Sequence, residues 1–407
     1  MEHFNLENAG FMTKAIHAGQ KPDPAYGALA TPIYQTSTFC FETVEEGTAQ
    51  FAGQRKGYAY SRGGNPTVRA LELKLAALEG GEDCIATASG MGAVGSVVLG
   101  LVKAGDHVIV GDCVYGCTNV AIRDMLPEFG VEVTPVDTSD LEAIRAAITP
   151  KTKMIYFETP TNPMMNLTDI AGVRAVVGDQ PIKIVVDNTF APAPIQYPLA
   201  LGADISLHSA TKYLNGHGDV IGGCIIGSAE DIALLRTYAV TKLTGSTCSP
   251  FNAFLMLRGL QTLGIRVRRH CESAMRVAEF LEASPYIENV YYAGLESSPY
   301  PELAKRQMNG LYTGILSFEL KNGIKSMSGA EAGKKLINSM KLAHIAVSLG
   351  DPASLIEHPA TMTHNNVSAE VKKSMGITDG LIRFSVGLED VEDIIADFKQ
   401  AFAALAE

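Results

Sequence analysis

Basic residues are scarce in this chain of 407 residues: 33 Lys and Arg stand against 44 Asp and Glu, a formal net charge of −11. A nucleic-acid binder neutralises phosphates with lysine and arginine, so this balance argues against that class. The densest basic stretch, Arg266-Val267-Arg268-Arg269-His270, is short and reads as a solvated helix face or a subunit contact. Cysteine is sparse too. Seven scattered residues, an odd number with no CxxC pair, do not form a disulfide framework or a zinc site of that spacing, and they point to a reducing cytoplasm. The opening stretch, Met1-Glu2-His3-Phe4-Asn5, lacks the basic and apolar regions of a signal peptide. The nine histidines include no HExxH pair, so no metal is expected, and His208, His217, His358 and His364 read as local hydrogen-bonding residues. Only Cys84 to Val102 is uncharged over nearly a bilayer's span, and its Gly, Ala, Ser and Thr content suits a buried strand-turn-helix instead, so no membrane partner is expected. No internal repeat or low-complexity linker is present.

The chain is rich in core-forming residues: 46% are hydrophobic and 19% charged, enough for a large core and two or three domains. Residues 1–63 hold scattered prolines, aromatics and glycines without sustained periodicity, as in an arm that lies on another surface. Asn65-Pro66 then opens a helix whose apolar stripe is Val68, Leu71, Leu75 and Leu78, and Gly80-Gly81 ends it. From there strands alternate with helical patterns: Cys84 to Thr87, His107 to Val110, Val131 to Thr134, Met154 to Phe157, Ile184 to Val186 and Gly222 to Ile226. That rhythm predicts an α/β fold with a mostly parallel sheet over residues 64–260. A long helical stretch from Ala253 to Glu282 leads into a smaller α+β domain over 261–407, with a strand at Gly314 to Leu320 and helices near Ala330 to Met340 and Val391 to Leu405.

Asp187 ends a β-branched strand, at the carboxyl edge where α/β sheets collect their sites. Lys212 follows Ser209-Ala210-Thr211 in a polar turn after the apolar run Ile205 to His208. Each residue alone reads more readily as a helix-capping Asp or a surface Lys. Together they fit an enzyme of pyridoxal phosphate (PLP), in which the lysine links to the cofactor aldehyde and the carboxylate keeps the pyridine nitrogen protonated. Ser209 and Thr211 supply hydroxyls suited to phosphate. Gly90-Met91-Gly92-Ala93-Val94-Gly95 also matches the dinucleotide fingerprint, with Asp112 closing the next strand, so a nicotinamide oxidoreductase is the rival. A helix N-terminus serves either phosphate, and the lysine and carboxylate pair is what favours PLP.

Other residues carry two readings each. Arg62 in Tyr58 to Asn65 is either a phosphate fork or a solvated loop residue. Tyr115 is either a ring stacked on a pyridine, with a hydroxyl that moves protons, or a core tyrosine. Cys117 is a buried inert thiol or a substrate-pocket residue. Arg383, in the apolar strand Leu381 to Val386, needs an anion: a substrate carboxylate or an internal Asp or Glu.

Tyr60-Ser61-Arg62, Ser89-Gly90-Met91, Tyr115-Gly116-Cys117-Thr118, Glu158-Thr159-Pro160-Thr161-Asn162-Pro163, Val186-Asp187-Asn188-Thr189-Phe190, His208-Ser209-Ala210-Thr211-Lys212-Tyr213 and Ser348-Leu349-Gly350-Asp351 occur in this order. Through them nearly the whole chain resembles the Cys/Met-metabolism family of PLP enzymes. The resemblance implies the PLP-dependent transferase fold of the aspartate-aminotransferase type, fold type I. It implies that Lys212 carries the cofactor, Asp187 faces its ring nitrogen, and Ser89, Gly90, Met91, Ser209 and Thr211 hold its phosphate. Tyr60 and Arg62 would complete the phosphate site from a neighbouring subunit of a homotetramer built as a dimer of dimers. Tyr115 would stack on the cofactor and act as acid or base, while Asn162, Ser348 and Arg383 would grip the carboxylate of an amino acid substrate. Cys117 after Tyr115-Gly116 resembles the family's methionine γ-lyases and implies γ-elimination of a sulfur amino acid. Cystathionine γ-lyase and the γ-replacing synthases and sulfhydrylases are the alternatives. Thr241-Lys242-Leu243-Thr244-Gly245 and Gly63 depart from the γ-lyase pattern near the expected substrate pocket.

Overall fold

Asn65 opens the first long helix as its sequence predicts: its Oδ1 accepts from the Thr67 N–H at 3.0 Å, Pro66 begins the first turn, and Gly80 closes the helix with a left-handed φ of 76°. The computed structural model describes residues 5–363, 365, 372 and 375–406; Met1 to Phe4 of the opening stretch and His364 lie outside these.

Seven strands follow: β1 Asp83–Thr87, β2 His107–Gly111, β3 Glu132–Val136, β4 Thr152–Glu158, β5 Lys183–Asp187, β6 Ile205–His208 and β7 Gly223–Gly227. They lie in the order β1-β7-β6-β5-β4-β2-β3. β7 runs antiparallel to both its neighbours, and every other pair is parallel. The central strands are unbroken apolar runs because both faces are covered. Val108 and Val110 pack with Val94 and Val97 of the helix Gly90–Leu101, whereas Ile109, Ile155 and Ile184 pack on the other side with Ile144 and Val173.

This strand order removes the nicotinamide rival. A dinucleotide site needs the strands flanking its glycine-rich turn to be parallel neighbours. Here β1 pairs with β7, and β2 sits four strands further along, beside β3 and β4. The same order brings the carboxyl ends of β1, β2, β4, β5 and β6 to one edge.

A second sheet, in the order β10-β11-β12-β9-β8, comprises β8 Ile287–Tyr291, β9 Ile315–Leu320, β10 His344–Ile345, β11 Leu355–Glu357 and β12 Leu381–Ser385. The helices Gly329–Ser339 and Val391–Ala406 share its core, where Phe398 sets its ring edge-on to Phe384 at 4.9 Å between centroids.

Three local expectations change. The stretch Ala253 to Glu282 is two helices, Pro250–Leu260 and Leu263–Glu282, because the Arg266 guanidinium takes the Gly259 carbonyl at 2.9 Å at the break. The basic run around it is not a solvated face: Arg266 and His270 are buried, and Arg266 also donates to the Tyr213 carbonyl at 2.9 Å. The first sixty residues hold two short helices, Phe11–His17 and Val44–Phe51. The first is fastened to the body of the chain by the buried Lys74 ammonium, which donates to the carbonyls of Ala15 and Ile16. Among the described residues no helix is long and apolar enough to cross a membrane.

Candidate active site

Lys212 lies in the turn between β6 and β7, with its Nζ donating to Ser348 Oγ at 2.9 Å. Burial pushes this amine below its ordinary range and the Arg383 charge pushes the same way, while Asp351 and Glu357 oppose both. The turn is fixed from below by Arg266 on the Tyr213 carbonyl and from within by the Gly216 N–H on the Lys212 carbonyl at 2.8 Å.

Asp187, at the end of β5, is pushed up by burial, and the Thr189 hydroxyl and N–H, both on Oδ1, pull it back. The Tyr156 hydroxyl donates to Oδ2 at 3.2 Å. Its neighbour Glu158, at the end of β4, is buried and held well above the usual carboxylate range by burial and by Asp187. Glu158 Oε1 accepts the Tyr115 N–H at 2.6 Å and so fixes the start of the Tyr115 loop. Deeper in the sheet, His208 Nε2 meets Glu79 Oε2 at 3.2 Å, with both side chains buried. Glu79 also accepts from the Ala193 N–H and the Ser206 hydroxyl, and His208 is lifted to about 9 by this carboxylate despite its burial.

Ser89 caps the helix Gly90–Leu101 by accepting the Gly92 N–H at 2.9 Å. A Cβ on Gly90 would come within 2.9 Å of Ser209 Cβ, so glycine lets the helix start and the lysine turn face each other closely. Their shared edge presents N–H and hydroxyl groups, which suit an anion. Thr211 Oγ1 is engaged with Gly222, donating to its carbonyl and accepting its N–H.

Tyr115 is 47% exposed at the mouth of this edge, not a core tyrosine. Its phenol is pushed up to about 12, first by its hydrogen bond to Cys117 and then by burial. Cys117 is exposed, so the buried-thiol reading falls; Cys113 is the buried one of the pair. Arg383 has the internal acidic partner that the sequence allowed. Its Nη1 meets Glu357 Oε1 at 3.0 Å, the internal partner, and Asn162 Oδ1 at 3.1 Å, while Nη2 donates to the Ser348 carbonyl at 3.0 Å. Asn162, Ser348 and Arg383 are therefore one cluster, joined to Lys212 through Ser348.

Tyr60 and Arg62 stand apart. Arg62 is exposed and lies over the Tyr60 ring at 5.2 Å, and no hydrogen bond or ion pair joins either side chain to the cluster among the described residues. They line an open groove of about 530 Å³ with Gly63, Arg69, Glu72, Arg236 and Thr241. Gly63 and the segment before Lys242 thus adjoin that groove.

A model of Cys/Met metabolism PLP-dependent enzymes matches residues 12–403. The chain belongs to this family. It is 51% identical to an L-methionine gamma-lyase of Treponema denticola, covering 100% of both chains, and 50% identical to one of Porphyromonas gingivalis, again over 100% of both. A cystathionine gamma-synthase of Mycobacterium bovis is 42% identical over 97% of both. The crystal structure of metB from Corynebacterium glutamicum superposes with a TM-score of 0.91 at 42% identity, covering 99% of this chain and 100% of that one. The chain is thus a PLP-dependent enzyme of the lyase family, with fold type I.

The site fits that cofactor. The close Gly90–Ser209 approach makes an anion cradle, Lys212 is a partly desolvated amine, and Asp187 is a strand-end carboxylate held by hydroxyl donors. Among the described residues no group of His, Cys, Asp and Glu is arranged to hold a metal ion. Residues that sequence reasoning gave no role are Glu79, Tyr156, Thr189, Arg266, Asp351 and Glu357. Glu79, Tyr156, Arg266 and Glu357 act across long sequence separations, whereas Thr189 and Asp351 stand in motifs beside Asp187 and Ser348.

Proposed function

We propose that this enzyme catalyses α,γ-elimination of L-methionine, with water, to methanethiol, 2-oxobutanoate and ammonia, and that it accepts homocysteine and related sulfur amino acids. The observation that carries this reading is the exposed Cys117 thiol close after the half-exposed Tyr115 at the open mouth of the site, in a chain about half identical to two L-methionine gamma-lyases.

PLP, when bound, supplies the electron sink that makes the α-proton acidic. Lys212 would carry it, Asp187 would face its ring nitrogen, and Ser89, Gly90, Met91, Ser209 and Thr211 would cradle its phosphate. Arg383 and Asn162 bind the substrate carboxylate, with the Ser348 segment closing over it. Glu357 pairs with the Arg383 guanidinium and so holds it in place. Lys212 Nζ then removes the α-proton and moves a proton between Cα and Cβ. The Tyr115 hydroxyl, still protonated at neutral pH, delivers its proton to the departing methanethiolate.

Arg62 and Tyr60 supply the missing cation and hydroxyl of the phosphate cradle from a neighbouring subunit. The enzyme accordingly works as a homotetramer of two dimers, with residues 1–63 as the clasping arm, 64–260 as the cofactor domain and 261–407 as the smaller domain. Seven free cysteines suit a cytoplasmic location.

The second reading, γ-replacement on an activated homoserine ester, rests on the 42% identity to a cystathionine gamma-synthase, and the Lys242 and Gly63 departures leave the substrate open between the two. Side-by-side initial rates decide between them. Methionine alone is expected to be consumed at least tenfold faster than an acylated homoserine with added thiol; the reverse order would transfer the assignment to γ-replacement.

A further inference from the structure

Tyr156 is a fully buried phenol for which the proposed chemistry has no use. It stands within β4 opposite Val185 of β5, and its ring packs with Met154, Val94 and Val97 as a core residue does. Its hydroxyl serves a different end. It reaches diagonally along β5 and donates to Asp187 Oδ2 at 3.2 Å. A carboxylate offers about four lone pairs, two on each oxygen. The Thr189 N–H at 3.1 Å and the Thr189 hydroxyl at 2.5 Å both fall on Oδ1. That hydroxyl is itself held, because it accepts the Ser209 N–H at 2.9 Å. With Tyr156 on Oδ2, the donors among the described residues leave one lone pair of Asp187 open, and it lies on Oδ2.

We propose that Tyr156 is a positioning residue for the cofactor's ring nitrogen: by holding Oδ2 it turns the Asp187 carboxylate so that its one open lone pair serves a single N–H donor. This rests on the assignment of Asp187 to that nitrogen. The last torsion of an aspartate side chain is broad. Without the phenol the carboxylate could pivot about the oxygen that Thr189 holds, and the direction of its open lone pair would be lost. The phenol also favours the ionised form of a carboxylate that burial pushes toward the neutral one. Burial first, and then the Asp187 charge, push the phenol well above its ordinary value, so it keeps its proton and remains a donor.

Tyr156→Phe removes this one oxygen and keeps the ring that the core needs. The full chain, stripped of cofactor, is titrated with PLP and with the PLP analogue that carries carbon in place of the ring nitrogen. Wild type is expected to bind PLP about 100-fold more tightly than the analogue, the worth of a buried charge-assisted hydrogen bond. In Tyr156→Phe that preference falls to about tenfold, while affinity for the analogue changes less than about twofold, because it has no N–H to place. With PLP bound, kcat falls about tenfold in the variant, and KM for methionine stays within about twofold because the Arg383 cluster is untouched. An equal loss of affinity for both cofactors would make the phenol a packing group alone and overturn the proposal, as would no loss for either. Equal binding of both cofactors by wild type is a separate outcome: the assignment of Asp187 to the ring nitrogen then fails, and the proposal with it.

Discussion

Tyr115 keeps its proton to about pH 12 although it is half-exposed, and the Cys117 hydrogen bond is the first cause. Cys117→Ala should therefore let the phenol fall toward its ordinary value, measured as the difference tyrosinate absorbance between that variant and the Cys117→Ala/Tyr115→Phe double variant. An unchanged titration would show that burial alone sets it. Tyr115→Phe should cost about 10²-fold or more in kcat if the phenol is the acid for the thiolate. Beneath the site, the Glu79 and His208 pair is fully buried, and removing one partner of such a pair costs about 3–5 kcal/mol. His208 is raised to about 9, so its contribution is complete below its ordinary pKa and is lost as pH rises through about 9. Glu79 is lowered, so its share is complete above the ordinary carboxylate pKa and is lost as pH falls through its depressed value. Urea unfolding of Glu79→Gln against wild type should show its widest gap between the ordinary values of the two groups, 4.5 and 6.5, and a gap that closes as pH rises to about 9; a gap that stays constant would exclude the ion pair. Neither partner was legible as a pair in the sequence, because a histidine ending a strand and a glutamate ending a distant helix leave no shared pattern.

Elements were legible where local chemistry and periodicity agree. Asn65-Pro66 and Gly80 mark both ends of their helix, and the β-branched runs mark β2, β4 and β5, because cap and burial preferences act over a few residues. The helix break at Gln261-Thr262 was not legible: the apolar stripe runs on across it, and the cause is the Arg266 guanidinium turned back onto the Gly259 carbonyl. The short helix Phe11–His17 was hidden too, being held by Lys74 from 58 residues away through the Ile16 carbonyl. Asn65 also ties the helix to the preceding loop, its Nδ2 donating to the Tyr34 carbonyl at 2.8 Å and to Ser61 Oγ at 3.0 Å. Asn65→Ala should thus cost more than a simple cap, about 2 kcal/mol, whereas Asn65→Asp, which keeps the cap acceptor, should recover about half. Equal destabilisation by both, in thermal unfolding, would place the whole cost in the loop ties.

At the scale of the whole molecule, the sequence placed Ser89, Gly90, Asp187, Ser209 and Lys212 at one sheet edge, and they converge there because the carboxyl ends of parallel strands share one side of a sheet. What it could not carry was the strand order, which decided between two phosphate-binding readings through the single antiparallel strand β7. Tyr60 and Arg62, exposed on their own chain, pose the assembly question. If they serve a neighbouring site, mixing Arg62→Ala chains with Lys212→Ala chains should restore activity that neither has alone, since some mixed sites then hold both intact residues; no recovery after demonstrated mixing would confine each site to one chain. The most direct test of the central claim is to add L-methionine to the purified, cofactor-loaded enzyme and quantify products. The expected result is methanethiol and 2-oxobutanoate in equal amounts, both absent in Lys212→Ala. A cofactor-loaded protein that leaves methionine intact, or a Lys212→Ala variant that still forms both products at the native rate, would contradict it.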